Sequence, residues 1–183
     1  MKKGFWNYLE KWRGLFSRRR VLRWRGGWLQ NGYCRDCRYC CGPQDSSKPF
    51  PMALLPRQLH EGMEEDFYML DGHTAYMDGR GCKACTRTGC GLPREQRPVA
   101  CGLFPFVLAN GNLYAYKTCP AVLLTPPAEL ALLGLEAARW LAAFSLEDLR
   151  RLSLDIAAPV LAEKYISLSI QVFDREGVNL QLR

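Results

Sequence analysis

Several things are scarce in this 183-residue chain. No apolar run reaches the ~18 uncharged residues of a membrane-spanning helix, so no transmembrane segment is expected. The charged start has neither the continuous apolar stretch nor the small-residue cleavage site of a secretory signal. There is no Gly-rich phosphate loop, no Ser/His/Asp set and no internal repeat, which argues against the common nucleotide-binding and hydrolase designs. Histidine occurs twice, at His60 and His73. Either can complete a metal site, although a lone histidine is more commonly a surface or satisfied polar group. Acidic residues are nearly missing from the first 30 positions, where Glu10 stands alone against nine Lys and Arg. That segment carries +8 of the net +7, leaving −1 for the rest, so the basicity belongs to the N-terminal arm.

Cysteine, by contrast, is abundant, at nine residues. Four fall in Cys34-Arg35-Asp36-Cys37-Arg38-Tyr39-Cys40-Cys41, a C-x2-C-x2-C-C spacing. Consecutive side chains diverge, so a segment this short cannot use four cysteines as core filler. It can wrap a loop around a metal, because thiolates two residues apart converge on one ion or cluster. Cys82, Cys85, Cys90, Cys101 and Cys119 follow. The expected compartment is a reducing cytosol, where clustered cysteines hold metal more often than they form disulfides. An odd count also argues against a fully paired disulfide framework. Lys83, Arg35 and Arg38 sit beside cysteines in sequence and can lower their pKa.

Apolar residues make up 48% of the chain, enough for a core that does not depend wholly on metal. The reading is of an α+β protein. A small, irregular, cysteine-rich metal-binding core with a β-hairpin is flanked by an N-terminal amphipathic helix and C-terminal helices. Three segments follow: a basic aromatic amphipathic arm (1–29), a cysteine-cluster metal-binding domain (30–125), and a C-terminal helical region with a terminal hairpin (126–183). In the arm, Phe5, Trp6, Tyr8, Leu9, Trp12, Leu15 and Phe16 recur at helical spacing. That stripe suits a helix packed on its own domain, or peripheral membrane contact through residues 1–28 with Lys and Arg facing anionic lipid. A nucleic-acid arm is a third reading and not the expected one. An unidentified protein partner is the remaining candidate.

Further along, Pro-rich residues 46–56 read as an extended connector, and Arg57–Leu70 as a helix with Leu59, Met63, Phe67 and Leu70 on one face. Asp71-Gly72 and Asp78-Gly79 bracket a short strand over Thr74–Met77. Residues 104–117 read as a hairpin, since Asn110-Gly111 suits a type I′ turn. Continued to its open end, pairing of Ala109 with Asn112 sets Cys101 and Cys119 almost opposite, as a shared metal site or a disulfide requires. A helix is expected from Pro126 to Phe144. Ser145 should cap a second that runs to about Ala158 and is closed by Pro159. Strands carrying Ile166, Leu168, Ile170 and Val172, then Val178, Leu180 and Leu182, form a terminal hairpin turning at 174–177.

Over residues 30–120 the pattern resembles the YkgJ-type cysteine-cluster family, the CxxCxxCC group described as zinc- or iron-chelating domains. The matching positions are Cys34, Cys37, Cys40, Cys41, Cys82, Cys90, Arg97, Pro98, Cys101, Phe104, Pro105 and Cys119. Cys85 is an addition where that family more often has an apolar residue. The stretch from Cys90 to Arg97 lacks the aromatic after the cysteine and is a residue longer. The resemblance implies a metal domain with ligands Cys34, Cys37, Cys40, Cys41, Cys82, Cys90, Cys101 and Cys119. Eight thiols suit two four-coordinate zinc sites, or one iron–sulfur cluster with cysteines to spare. Arg97 is then expected to hydrogen-bond a thiolate or a carbonyl of the cluster loop. Some relatives are linked to lysine methylation of flagellin, so a cluster-dependent protein-modifying enzyme is an alternative. So is a thiol redox protein working through Cys40-Cys41 or Cys82/Cys85.

Overall fold

The computed structural model describes residues 22–32, 40–42, 50–87 and 89–182. The expected N-terminal helix, Cys34, Cys37, Arg35 and Arg38 lie outside the described residues. Two short strands open the described chain, β1 (Leu22–Trp24) and β2 (Leu29–Asn31). They pair antiparallel around Gly26-Gly27, with reciprocal backbone bonds between Arg25 and Trp28. Leu22 and Leu29 are buried in the larger core and the Trp24 ring meets Trp140. Residues 22–29, read from sequence as part of the arm, are therefore a hairpin packed on the body.

The next layer is a three-stranded sheet: β3 (Phe50–Ala53), β4 (Tyr68–Asp71) and β5 (Thr74–Met77), in the order β3-β5-β4. β5 is the strand that the two Asp-Gly turns bracket. The expected helix over Arg57–Leu70 is not formed. A 3₁₀ turn at Pro56–Gln58 and one helical turn, α1 (Met63–Asp66), take its place. Gly62 adopts φ 83° and interrupts the helical path. Tyr68 to Asp71 then join the sheet against β5, which leaves Leu70 62% exposed. A hydrophobic recurrence over fourteen residues was too short to outweigh a β-prone Phe-Tyr-Met-Leu run followed by a turn.

A two-residue pair follows, β6 (Cys85–Thr86) with β7 (Gly89–Cys90), and then α2 (Val99–Leu103). The hairpin expected around Asn110-Gly111 is present as β8 (Phe106–Ala109) and β9 (Asn112–Tyr116). Ala109 faces Asn112, and Asn110 and Gly111 both have positive φ, 49° and 75°. Its ladder ends at Phe106 opposite Ala115. Cys101 lies earlier, in helical α2, so the pairing does not extend to Cys119.

α3 (Pro120–Leu123), α4 (Pro127–Leu141), α5 (Leu146–Leu152) and α6 (Ala158–Lys164) precede β10 (Tyr165–Phe173) and β11 (Val178–Leu182). α4 and the Ser145 cap are as expected, the Ser145 hydroxyl accepting the Asp148 amide at 3.1 Å. Pro159 does not close that second helix. α5 ends at Leu152, and Pro159 sits in the first turn of α6, where its missing N–H costs nothing. The terminal hairpin forms and joins the earlier one in a single antiparallel sheet, β11-β10-β9-β8. A register shift between Ser167 and Ile170, with Ser169 at φ 57°, breaks the strict alternation expected along β10.

With helices and antiparallel sheets both present, the α+β class holds. The larger core lies between α4 and the four-stranded sheet and takes in Leu130, Leu133, Leu141, Phe106, Leu113, Ile170 and Val172. A smaller apolar cluster of Met52, Leu54, Phe67, Ala75, Met77 and Leu92 backs the three-stranded sheet, and Cys82, Cys90 and Cys101 pack against it. Among the described residues no helix is long and apolar enough to cross a membrane.

Candidate functional site

Most of the cysteines gather at one cavity of about 410 Å3 between these two layers. Cys40, Cys41, Cys82, Cys85, Cys90 and Cys101 line it, with Arg97, Trp28 and Phe104. Local structure explains how residues 60 positions apart meet. Gly81 has φ 80°, and a Cβ there would stand 2.9 Å from the Cys41 carbonyl oxygen. Only glycine lets the two backbones come this close, and the Cys82 amide then donates to the Cys41 carbonyl at 2.9 Å. Past Cys82 the chain turns at once, the Cys85 amide closing onto the Cys82 carbonyl at 3.0 Å. β6 and β7 place Cys85 directly opposite Cys90. α2 brings Cys101 in from the other side, its amide bonded to the Pro98 carbonyl.

Arg97 fixes this arrangement through carbonyls. Its Nε and Nη2 donate to the Leu92 carbonyl at 2.9 and 2.7 Å, and Nη2 also reaches the Cys90 carbonyl at 3.5 Å. Of the two expected acceptors, thiolate or carbonyl, the described contacts are to carbonyl. Its guanidinium lies 5.0 Å from the Trp28 ring centre. Gln58, which sequence reasoning missed, is the buried tie behind it. Its side-chain amide donates to the Arg97 carbonyl at 2.6 Å, and its oxygen accepts the Leu55 amide at 3.1 Å. A lone glutamine in a Pro-Arg-Gln turn carries no sequence signal for such a role.

The electrostatics follow from this crowding. Burial pushes the Cys101 thiol up, the neighbouring Cys41, Cys82 and Cys90 push it further, and the Arg97 charge opposes them. Burial likewise raises Cys82, against hydrogen bonds from the Ala84 and Cys85 amides to its sulfur. The Lys83 ammonium donates to the Glu64 carbonyl and lies 5.8 Å from the Tyr68 ring centre. Neither His60 nor His73 lines the cavity, and both are exposed.

Cys119 is placed differently. It is 5% exposed, packed in the larger core, and the Asn31 side-chain amide approaches its sulfur at 3.7 Å. Asn31 itself lines the cavity. No disulfide joins any two of the described cysteines.

In donor chemistry the site suits a thiophilic ion or cluster, with six thiols and, among the described residues, no carboxylate or imidazole lining the same space. In arrangement, no three His, Cys, Asp or Glu side chains among the described residues converge on one point as they stand. Compared with known proteins, the chain matches no family model, no curated protein and no solved structure.

Proposed function

We propose that this chain is a metal-binding protein, holding zinc or an iron–sulfur cluster through its C-x2-C-x2-C-C motif and downstream cysteines, as the resemblance to the YkgJ-type family implies. The ligand set is Cys34, Cys37, Cys40, Cys41, Cys82, Cys90, Cys101 and Cys119. One observation carries the reading. Cys40-Cys41, the end of the motif, shares a cavity with Cys82, Cys90 and Cys101, and the Cys82 amide is bonded to the Cys41 carbonyl. Half-buried thiols gathered at one cavity are costly to hold as thiolates, because deprotonating any of them raises the cost of deprotonating the rest. A bound cation removes that cost and holds them as thiolates. Cys119 enters the set on the motif, with Asn31 as the side chain common to it and the cavity.

Within this site the protein's own groups have separable tasks. The smaller apolar cluster shields the sulfurs from water. Arg97 adds a fixed positive charge near Cys101 and holds the carbonyls of the Cys90–Leu92 segment. The bound metal would supply the charge that keeps the thiolates together.

The test is metal and acid-labile sulfide analysis on protein purified without air. The expected result is stoichiometric iron with sulfide, or about two zinc ions per chain. Either content should be lost in Cys37→Ser and in Cys101→Ser. Metal that survives both changes removes these thiols from the ligand set. A thiol redox role is the second reading, favoured by Cys85 lying opposite Cys90. Metal-free native protein with a titratable disulfide would establish it.

A further inference from the structure

We propose that Cys85 and Cys90 are a reversible redox pair, joined across the β6–β7 ladder as a disulfide when a peroxide oxidises Cys85. The pair rests on the thiol redox reading above, gives it a particular bond, and needs no metal. The first support is register. The Gly91 amide donates to the Ala84 carbonyl at 2.9 Å, and Thr86 faces Gly89 one step the other way. Cys85 and Cys90 stand between these two, so theirs is a non-hydrogen-bonded position of the antiparallel ladder. Residues at such a position have Cα atoms about 4.5 Å apart and side chains on one face, the closest approach a sheet offers. A disulfide spans Cα separations of about 4.4–6.8 Å, so the bond can close without refolding either strand. Both cysteines are free thiols in this structure.

The second support is that the competing thiols are held elsewhere. Cys82 is near in sequence, but its sulfur accepts the Ala84 and Cys85 amides and is kept toward its own turn. Cys101 comes from α2, outside this ladder. The third is access. Cys82, Cys90 and Cys101 pack against the smaller apolar cluster, and Cys85 stands outside it, beside the exposed Thr86 and Arg87. Cys85 is therefore the sulfur that a small oxidant meets first. Its thiolate attacks one peroxide oxygen: an S–O bond forms, the O–O bond breaks, the sulfur loses two electrons and the peroxide gains them. The Cys90 thiolate then attacks the Cys85 sulfur, forming the S–S bond and expelling the sulfenic oxygen. Each leaving oxygen takes up one of the two thiol protons. A small thiol reverses the step by exchange at this accessible position. Cys90 also belongs to the proposed ligand set, and in the disulfide it is no longer a thiolate for a metal; that consequence alone rests on the metal-binding reading.

Peptide mapping of the full chain tests this. Protein purified without air is reduced, treated with hydrogen peroxide as purified and after metal removal by chelator, blocked with N-ethylmaleimide and digested with trypsin without reduction. Cleavage after Arg80, Lys83, Arg87 and Arg94 puts Cys82, Cys85 and Cys90 on separate peptides, 81–83, 84–87 and 88–94. In the chelator-treated protein the expected product is 84–87 joined to 88–94, at least about tenfold above any other Cys85 disulfide and lost on adding dithiothreitol. In Cys90→Ser, dimedone should trap Cys85 as a sulfenic acid about tenfold or more above the level in the unsubstituted protein. A main product joining Cys85 to Cys82 or Cys101 overturns this pair and leaves the redox reading standing. Cys85 that stays a thiol, or passes to sulfinate while Cys90 stays a thiol, overturns both. If the Cys85–Cys90 bond forms as fast in metal-containing protein as in stripped protein, the pair stands and Cys90 leaves the ligand set.

Discussion

Arg97 makes its contacts as a planar fork, and that geometry sets what can replace it. Two of its nitrogens converge on the Leu92 carbonyl and one extends to Cys90, while the flat face lies near Trp28. Lysine keeps the charge but has neither the fork nor the plane. Hydrogen bonds from a charged donor contribute about 1.5–3 kcal/mol when partly buried. Arg97→Ala is therefore expected to lower unfolding free energy by about 2 kcal/mol, read from urea midpoints. Arg97→Lys should recover less than half of that loss; full recovery would mean that charge alone matters. Arg97 was legible in the sequence because it precedes Pro98 in a motif with Cys101. Gln58 was not, since its importance lies in two backbone groups, of Leu55 and Arg97, 42 positions apart in the chain that it happens to join. Cys85 was visible only as an addition to a pattern, and its strand partner Cys90 became evident from pairing that two residues per strand cannot announce.

At the scale of elements, the Asn110-Gly111 turn holds more than its own hairpin. The Gly111 carbonyl accepts the Val172 and Phe173 amides at 2.9 and 3.3 Å, tying the turn to β10. A Cβ at Gly111 would collide with the Phe173 carbonyl oxygen, at a φ that side chains rarely adopt. Gly111→Ala should thus cost about 2 kcal/mol or more, seen as a fall in melting temperature. A change below about 0.5 kcal/mol would show that the sheet edge yields freely. The hairpin, the long helix α4 and the Ser145 cap were readable because each rests on a local signal: a turn pair, sustained periodicity, a capping residue. Elements decided by their partners were not. Tyr68–Asp71 became a strand because β5 is beside it, and α2 broke the register that would have set Cys101 opposite Cys119.

For the molecule as a whole, the two apolar clusters divide the work unequally. The larger one is built from aliphatic side chains of β1, β2, α4 and the four-stranded sheet, most of them almost wholly buried. Each such side chain contributes about 1.5–3 kcal/mol, so this part has ample reason to fold without metal. The smaller cluster has six buried members and is completed by the cysteines themselves. Its short β6–β7 pair is too small to persist alone. Stability should accordingly be layered, with local opening of the cysteine face well below the free energy of global unfolding. On the proposed metal-binding reading, removing metal with a chelator is expected to speed amide exchange at Cys85, Gly91 and their neighbours by about tenfold or more. Amides of β8, β9 and β10 should stay protected and far-ultraviolet circular dichroism should change little. Loss of protection throughout the chain would instead make the metal the keystone of the entire fold, and the larger core insufficient on its own.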